Sequence, residues 1–319
     1  MNRRDDNMDI AKAFGILLMI LGHGNGLPAL LLNFIFSFHM PLFFILSGYF
    51  FRPKPIRQVI TGGLERLVKP YLVPASLCVV ICYLTVSPQA ALDTLIGTFM
   101  ANGSTPQAIC FPSLPYIGPV WFLLALFWCR VYYTCIKRAT GKTLLPAFLI
   151  STAAFLVGKY VINLPLGLLD GLCAIVFYAM GDYWKNRLKE PVKPVLLITG
   201  IIIWAACIWF GNMDVARFEF SPYPLSMIAA FVGTYVTYLV SCRMRDRLRS
   251  LLSWTGRNTL LILCYHMLLV YLPLNGIYTC LQQHGMTHMG IAGVIVHLIL
   301  ALGLTYLHTT IKRLVTHRG

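Results

Sequence analysis

Long apolar runs, repeated along the chain and parted by short charged segments, constrain this sequence more than any other feature. The stretches Val195 to Phe210 and Tyr116 to Cys129 contain no Asp, Glu, Lys or Arg. Such runs offer no polar face to water, and runs of about 20 mostly apolar residues read as bilayer spans. Composition agrees. Apolar residues make up 58% of the 319 positions, charged residues only 12%, and mean hydropathy is +0.71. A soluble domain carries about twice that charged share. The loops are too short to fold alone. The expectation is therefore an all-α, polytopic transmembrane helical bundle forming a single domain over 1–319, with no separate soluble domain. About ten spans are placed near 8–26, 33–51, 70–86, 116–136, 144–160, 164–182, 194–211, 224–241, 256–274 and 290–311. Asp5, Asp6 and Asp9 at the start, with no small-residue cleavage site after the apolar run, argue against a signal peptide, so the first span stays in the protein.

Charge placement orients the bundle. The net charge of +15 is spread over many short loops, which excludes a nucleic-acid patch and fits topology determinants. One set of loops holds Arg52, Lys54, Arg57, Arg66 and Lys69, then Lys137 and Arg138, then Lys185 to Lys193, then Arg243 to Arg249. The alternate set holds only Lys159 and Arg217. The positive-inside rule puts the first set, and both termini, in the cytoplasm. The long outer segment from Ser87 to Pro115 is rich in proline and reads as irregular or re-entrant. No internal repeat is found, which weakens a transporter built from inverted repeats. The ten cysteines are scattered without a CxxC, so they read as buried small hydrophobes rather than as a zinc site or disulfide framework.

Ionisable groups inside spans are costly and therefore informative. Asp9, Lys12 and His23 share the first span. Lys12 and His23 lie eleven residues apart, about three turns, so they share a face roughly 16 Å apart along the axis. Asp9 sits a turn from Lys12 and can pair with it. A snorkelling lysine and a histidine satisfied by a neighbouring helix account for the same residues. The second span holds His39, at a depth near that of His23, then Ser47-Gly48, a small pair that suits close helix packing. Arg66 and Lys69 stand one turn apart at a membrane border, which suits a phosphate ligand or a lipid headgroup. The ninth span begins near Asn258 and reaches His266. Asp170, in the sixth, reads as a partner for a buried cation or as a pore-lining acid. The pair His284 and His288 falls in a loop, and no metal site is expected.

Taken in order, Asp9-x-x-Lys12, ten residues, His23, then FHMPLFFILSGYFF (38–51), Arg66-x-x-Lys69-Pro70, GPVWFLLALF (118–127) and GRNTLLILCYH (256–266) resemble the acyltransferase-3 membrane family. The nearest branch is the sugar O-acetyltransferases of bacterial glycans, the fucose acetylases among them. That family commonly carries arginine where this chain has Lys12, and Arg-x-x-Arg where it has Arg66-x-x-Lys69. The resemblance implies a multi-pass enzyme of the bacterial inner membrane. It would move an acyl group, usually acetyl, from cytoplasmic acetyl-CoA to a hydroxyl of a glycan or glycolipid acceptor. Lys12, Arg66 and Lys69 would hold the donor's phosphates. His23 would be the base, with His39, Asn258 or a backbone amide, and His266, stabilising the oxyanion or orienting groups. Asp9, Ser47, Gly48 and Asp170 would support them. A polytopic transporter or flippase of a polar or glycan substrate remains the alternative. Such a protein has no need of phosphate-binding cations below an intramembrane histidine.

Overall fold

The computed structural model describes residues 5–24, 27–104, 115–185, 187–188, 190, 192–272 and 289–316. Helix α1 (Asp6–Gly22) starts where the Asp5 carboxylate accepts from the Asn7 N–H at 3.1 Å, which satisfies a backbone donor left over at a helix start. The expected second span is two helices, α2 (Ala29–Phe36) and α3 (His39–Tyr49), broken at Ser37 and Phe38. The Ser37 hydroxyl donates to the Phe34 carbonyl and accepts from Trp204 Nε1 at 2.8 Å, which anchors the break. Pro41 falls in the first turn of α3, where its missing N–H would have had no helical partner.

Two segments read as loops are helical. The stretch after Pro55 forms α4 (Ile56–Gly63), a π-helical turn (Leu64–Val68) and α5 (Lys69–Thr85), a continuous helix of 30 residues. Pro70 lies at its α5 start and does not interrupt it. The Ser87–Pro115 segment opens with α6 (Pro88–Met100), capped by the Ser87 hydroxyl, which accepts from the Ala90 N–H at 3.1 Å. Helix α6 runs back along α5: Thr94 meets Cys82 at 3.4 Å, and the Tyr71 hydroxyl donates to the Thr98 carbonyl at 2.5 Å. Residues 105–114 of that segment lie outside the described residues.

Helix α7 (Trp121–Thr140) is the centre of the bundle, with Trp121 through Phe127 all buried. Helix α8 (Leu144–Tyr160) is followed by α9 (Leu168–Cys173) and α10 (Ile175–Trp184), which form one apolar path bent by 50°. Helices α3 and α10 touch backbone to backbone. A methyl on Gly48 would collide with the Tyr178 carbonyl, and one on Gly181 with the Ile45 carbonyl. Gly48 is therefore a packing residue.

The C-terminal part is α11 (Pro194–Phe210), a two-stranded hairpin of β1 (Asn212–Asp214) and β2 (Glu219–Ser221), then α12 (Leu225–Arg243), α13 (Asp246–Arg257), α14 (Thr259–Tyr271) and α15 (Met289–Thr316). The expected ninth span is thus broken at Asn258, and its last two residues, like His284 and His288, lie outside the described residues. Gly256 lets α13 approach α1 so closely that a side chain there would strike the Asp9 carbonyl.

Outward-facing residues such as Leu84 (74% exposed), Val195 (72%) and Ile202 (63%) give the bundle an apolar exterior that fits hydrocarbon. Among the described residues, four helical stretches are long and apolar enough to cross a membrane: 29–49, 56–85, α12 and 293–316. The bent α9–α10 pair makes a fifth, and α8, α11 and α14 are shorter apolar helices.

Candidate active site

A cavity of about 470 Å³ lies between α1, α3, α7 and α14. Its composition changes along its length. At the basic end, beside Phe50 and Phe51, it is lined by Lys12, Arg52, Lys54, Arg66 and Arg130. Toward the other end the walls are Met19, Met40, Pro119, Phe122 and Leu263. Lys12 reaches the Asp9 carboxylate at 3.4 Å and stands 5.1 Å over the Phe50 ring. That holds the ammonium at the wall while leaving it 26% exposed. Arg130 interacts with the Tyr178 hydroxyl, which also lines the cavity.

Arg66 and Lys69 part company. Arg66 lines the cavity, but Lys69 is not among its walls. It points outward, exposed, with Glu65 at 3.8 Å. The π-helical turn at Leu64–Val68 is the reason. Its wider turn breaks the register that would stack side chains three apart on a regular helix.

The three sequence-chosen histidines gather just beyond the apolar end. His23 is one turn past Met19, His39 precedes Met40, and His266 is three residues past Leu263. His23 is exposed, whereas His39 and His266 are each only 2% exposed. The His23 and His266 rings meet edge to face, with centroids 5.3 Å apart. His23 Nδ1 lies 2.7 Å from the Met19 carbonyl, and His39 Nδ1 lies 2.8 Å from the Ile35 carbonyl. A carbonyl can only accept, so both neutral rings carry the proton on Nδ1 and present Nε2 as a lone pair. Both nitrogens of His266 are buried without a hydrogen-bond partner. A buried polar group in that state is costly, which marks His266 as a group awaiting a ligand.

Four further residues were not singled out as site residues from the sequence. Arg52 and Lys54 read there as topology charges, and Arg130 as a cation snorkelling to the cytoplasmic border, with donor binding as the lesser reading. His297 of α15 packs its ring 5.2 Å from that of His266. A charged residue flanking an apolar run was the available signal for the first three, and only the packing of α15 on α14 discloses the last.

The other candidates stand apart. Ser47 lines the cavity, while its neighbour Gly48 faces α10. Asn258 occupies the α13–α14 junction and donates to the Trp254 carbonyl at 2.8 Å. Asp170 is 1% exposed and does not line the cavity, and neither of its carboxylate oxygens has a hydrogen-bond partner. Among the described residues no group of three or more His, Cys, Asp or Glu is placed to hold a metal ion.

Comparison with known proteins adds two matches. A family model described as an acyltransferase domain, that of the acyltransferase-3 family, matches residues 5–310. The nodulation protein NolL of Mesorhizobium japonicum is 29% identical over 213 residues, which cover 62% of this chain and 54% of that protein. The chain therefore spans about half the length of this curated relative. No solved structure matches.

Proposed function

The chain belongs to the acyltransferase-3 family, and from that premise we propose that it is a membrane O-acyltransferase that carries acetyl from acetyl-CoA to a glycan or glycolipid hydroxyl. The observation that carries this reading is the graded cavity, with cations at one end and a cluster of imidazoles, its roof, just beyond the other. The basic end faces the cytoplasm, by the segregation of Lys and Arg, and the membrane is the bacterial inner membrane. A thioester donor enters there with its phosphates on Arg52, Arg66, Arg130 and Lys12. Its arm runs along the apolar wall. The Lys12–His23 separation of roughly 16 Å along α1 brings the thioester to His23.

The chemistry follows from the fixed tautomer. His23 Nε2 takes the proton of the acceptor hydroxyl as that oxygen attacks the thioester carbon. The carbonyl oxygen gathers negative charge, and His266 is the donor for it, since its nitrogens are otherwise unpartnered and buried. Collapse breaks the C–S bond, and His23 returns the proton to the departing thiolate. His39, with its proton committed to Ile35, shapes the roof rather than donating to the oxyanion. Asn258 is likewise committed to Trp254.

The test uses the purified protein with radiolabelled acetyl-CoA and extracted membrane glycolipid. Transfer of label, or slow saturable hydrolysis without acceptor, supports the reading. Movement of a glycan across vesicles with no use of acetyl-CoA would favour the transporter alternative and overturn it.

A further inference from the structure

A second depression meets the cavity at the basic end, and the mechanism leaves it unused. It is a shallow groove of about 260 Å³ running from Pro53 and Lys54 past Thr134 to Lys137 and Arg138. Phe51, Lys54 and Thr134 belong to both the groove and the cavity, so one ligand can occupy the two without a gap.

The groove is held from both sides. The Arg138 guanidinium donates to the Lys54 carbonyl at 2.9 Å, which ties the end of α7 to the segment after α3. Lys137 is fixed by Asp182 at 3.0 Å, and Asp182 also accepts from the Tyr133 hydroxyl at 2.6 Å. The lining contains three cations and no acid. The exposed Pro53 and Pro55 supply stiff apolar surface beside them, at the edge of the largely buried Phe51.

Size points the same way. Cavities of roughly 300–1,000 Å³ enclose drug-sized ligands, and a coenzyme A thioester is larger than such a ligand. At about 470 Å³ the cavity takes the acyl-pantetheine arm, with the diphosphate on the cations at its basic end, and leaves the adenosine 3′-phosphate outside. We propose that the groove between Lys54 and Arg138 binds the adenosine 3′-phosphate end of the thioester, with the adenine against Pro53 and Pro55 and the 3′-phosphate on Arg138. This rests on the donor reading above and deepens it. The shared chemistry is a phosphate monoester or diester at a basic, membrane-bordering surface, so a lipid headgroup is the competing source.

The full-length protein is assayed with acetyl-CoA and with acetyl-3′-dephospho-CoA, in neutral and in anionic lipid. The wild type should prefer the phosphorylated thioester by about 10- to 100-fold in kcat/KM, the scale of one charge-assisted contact. Arg138→Ala should bring that ratio close to one, and Arg138→Lys should restore part of it. The ratio is taken within one preparation, so it does not depend on the fraction folded. Should Arg138→Ala fail to fold, Arg138→Gln keeps a donor for the Lys54 carbonyl and should show the same collapse. Wild-type turnover of both thioesters alike, or a preference that survives loss of Arg138, overturns the placement while the donor reading stands. An Arg138 effect that follows anionic lipid and is equal for the two thioesters gives the groove to headgroups and overturns it too. Failure to use either thioester removes the donor reading and the placement together.

Discussion

At its basic end the cavity presents Lys12, Arg52, Lys54, Arg66 and Arg130; just beyond its far end α1, α3 and α14 carry His23, His39 and His266. The cations are partly or fully exposed, so they keep their charge at modest cost and can exchange water for phosphate. Two of the three imidazoles are buried, where a group that can be neutral is the affordable polar side chain. The difference teaches how recognition and chemistry divide along one cavity. Fixed charge sits where water reaches, while two of the imidazoles, His39 and His266, sit where water is excluded and His23 stands exposed beside them.

The strongest test of that division is His23. Removing a general base costs about 100- to 10,000-fold, so His23→Gln should lower kcat by that order with donor binding nearly kept. Near-normal turnover would move the base elsewhere; lost acetyl-CoA binding would mean the two ends are not separable. His266→Ala comes next. Loss of one oxyanion donor typically costs about 100- to 1,000-fold in kcat. Steady-state kinetics should show that loss in kcat with KM little moved, and a KM effect alone would argue against an oxyanion role.

The basic end should answer in the other parameter. Arg66→Ala should raise the KM for acetyl-CoA by about 10- to 100-fold, as loss of a charged contact does. Lys69→Ala, on the same helix but outside the cavity, should leave KM almost unchanged. Equal effects of the two would mean that the π-helical turn does not separate them. Lys12→Arg keeps the charge and the Asp9 partner and should retain part of the activity. A folded but inactive Lys12→Arg protein would show that its geometry is decisive.

The smallest effect lies at the hairpin, none of whose residues lines the cavity. Burial pushes the Asp214 carboxyl up to about 6, although Arg217 at 3.5 Å opposes the shift. The ordinary value is near 4, so the folded hairpin holds the proton more tightly than an opened one. The stabilisation is complete below about pH 4 and is lost as pH rises through about 6. Hydrogen-exchange protection of 212–221 should therefore be higher at pH 5 than at pH 7.5, and Asp214→Asn should flatten the difference. The same pH dependence in the Asn variant would assign it to another group.

Much of this protein was legible in the one-dimensional pattern. Apolar runs without charge can form only helices in lipid, because every backbone group must be satisfied within the segment. Spacing put Asp9 and Lys12 a turn apart, and the two meet at 3.4 Å; His23 falls just past Gly22, at the cap that ends α1. The order of motifs pointed to the family that residues 5–310 match. The helix-packing role of Gly48 also followed from local size.

What tertiary structure alone decided concerns registers and meetings. A π-helical turn has no clear sequence mark, yet it sends Arg66 inward and Lys69 outward. A break such as the one at Asn258 depends on what α13 packs against, here the backbone of α1. Loop cations look alike in sequence, and only the meeting of α3 with α7 selects Lys54, Arg130 and Arg138 from the rest. His297 lies 274 residues after His23, and no local rule links them; the link is made by His266, whose ring lies 5.3 Å from one and 5.2 Å from the other. Helical periodicity fixes which residues share a face, whereas which faces come together is set by the packing of whole helices.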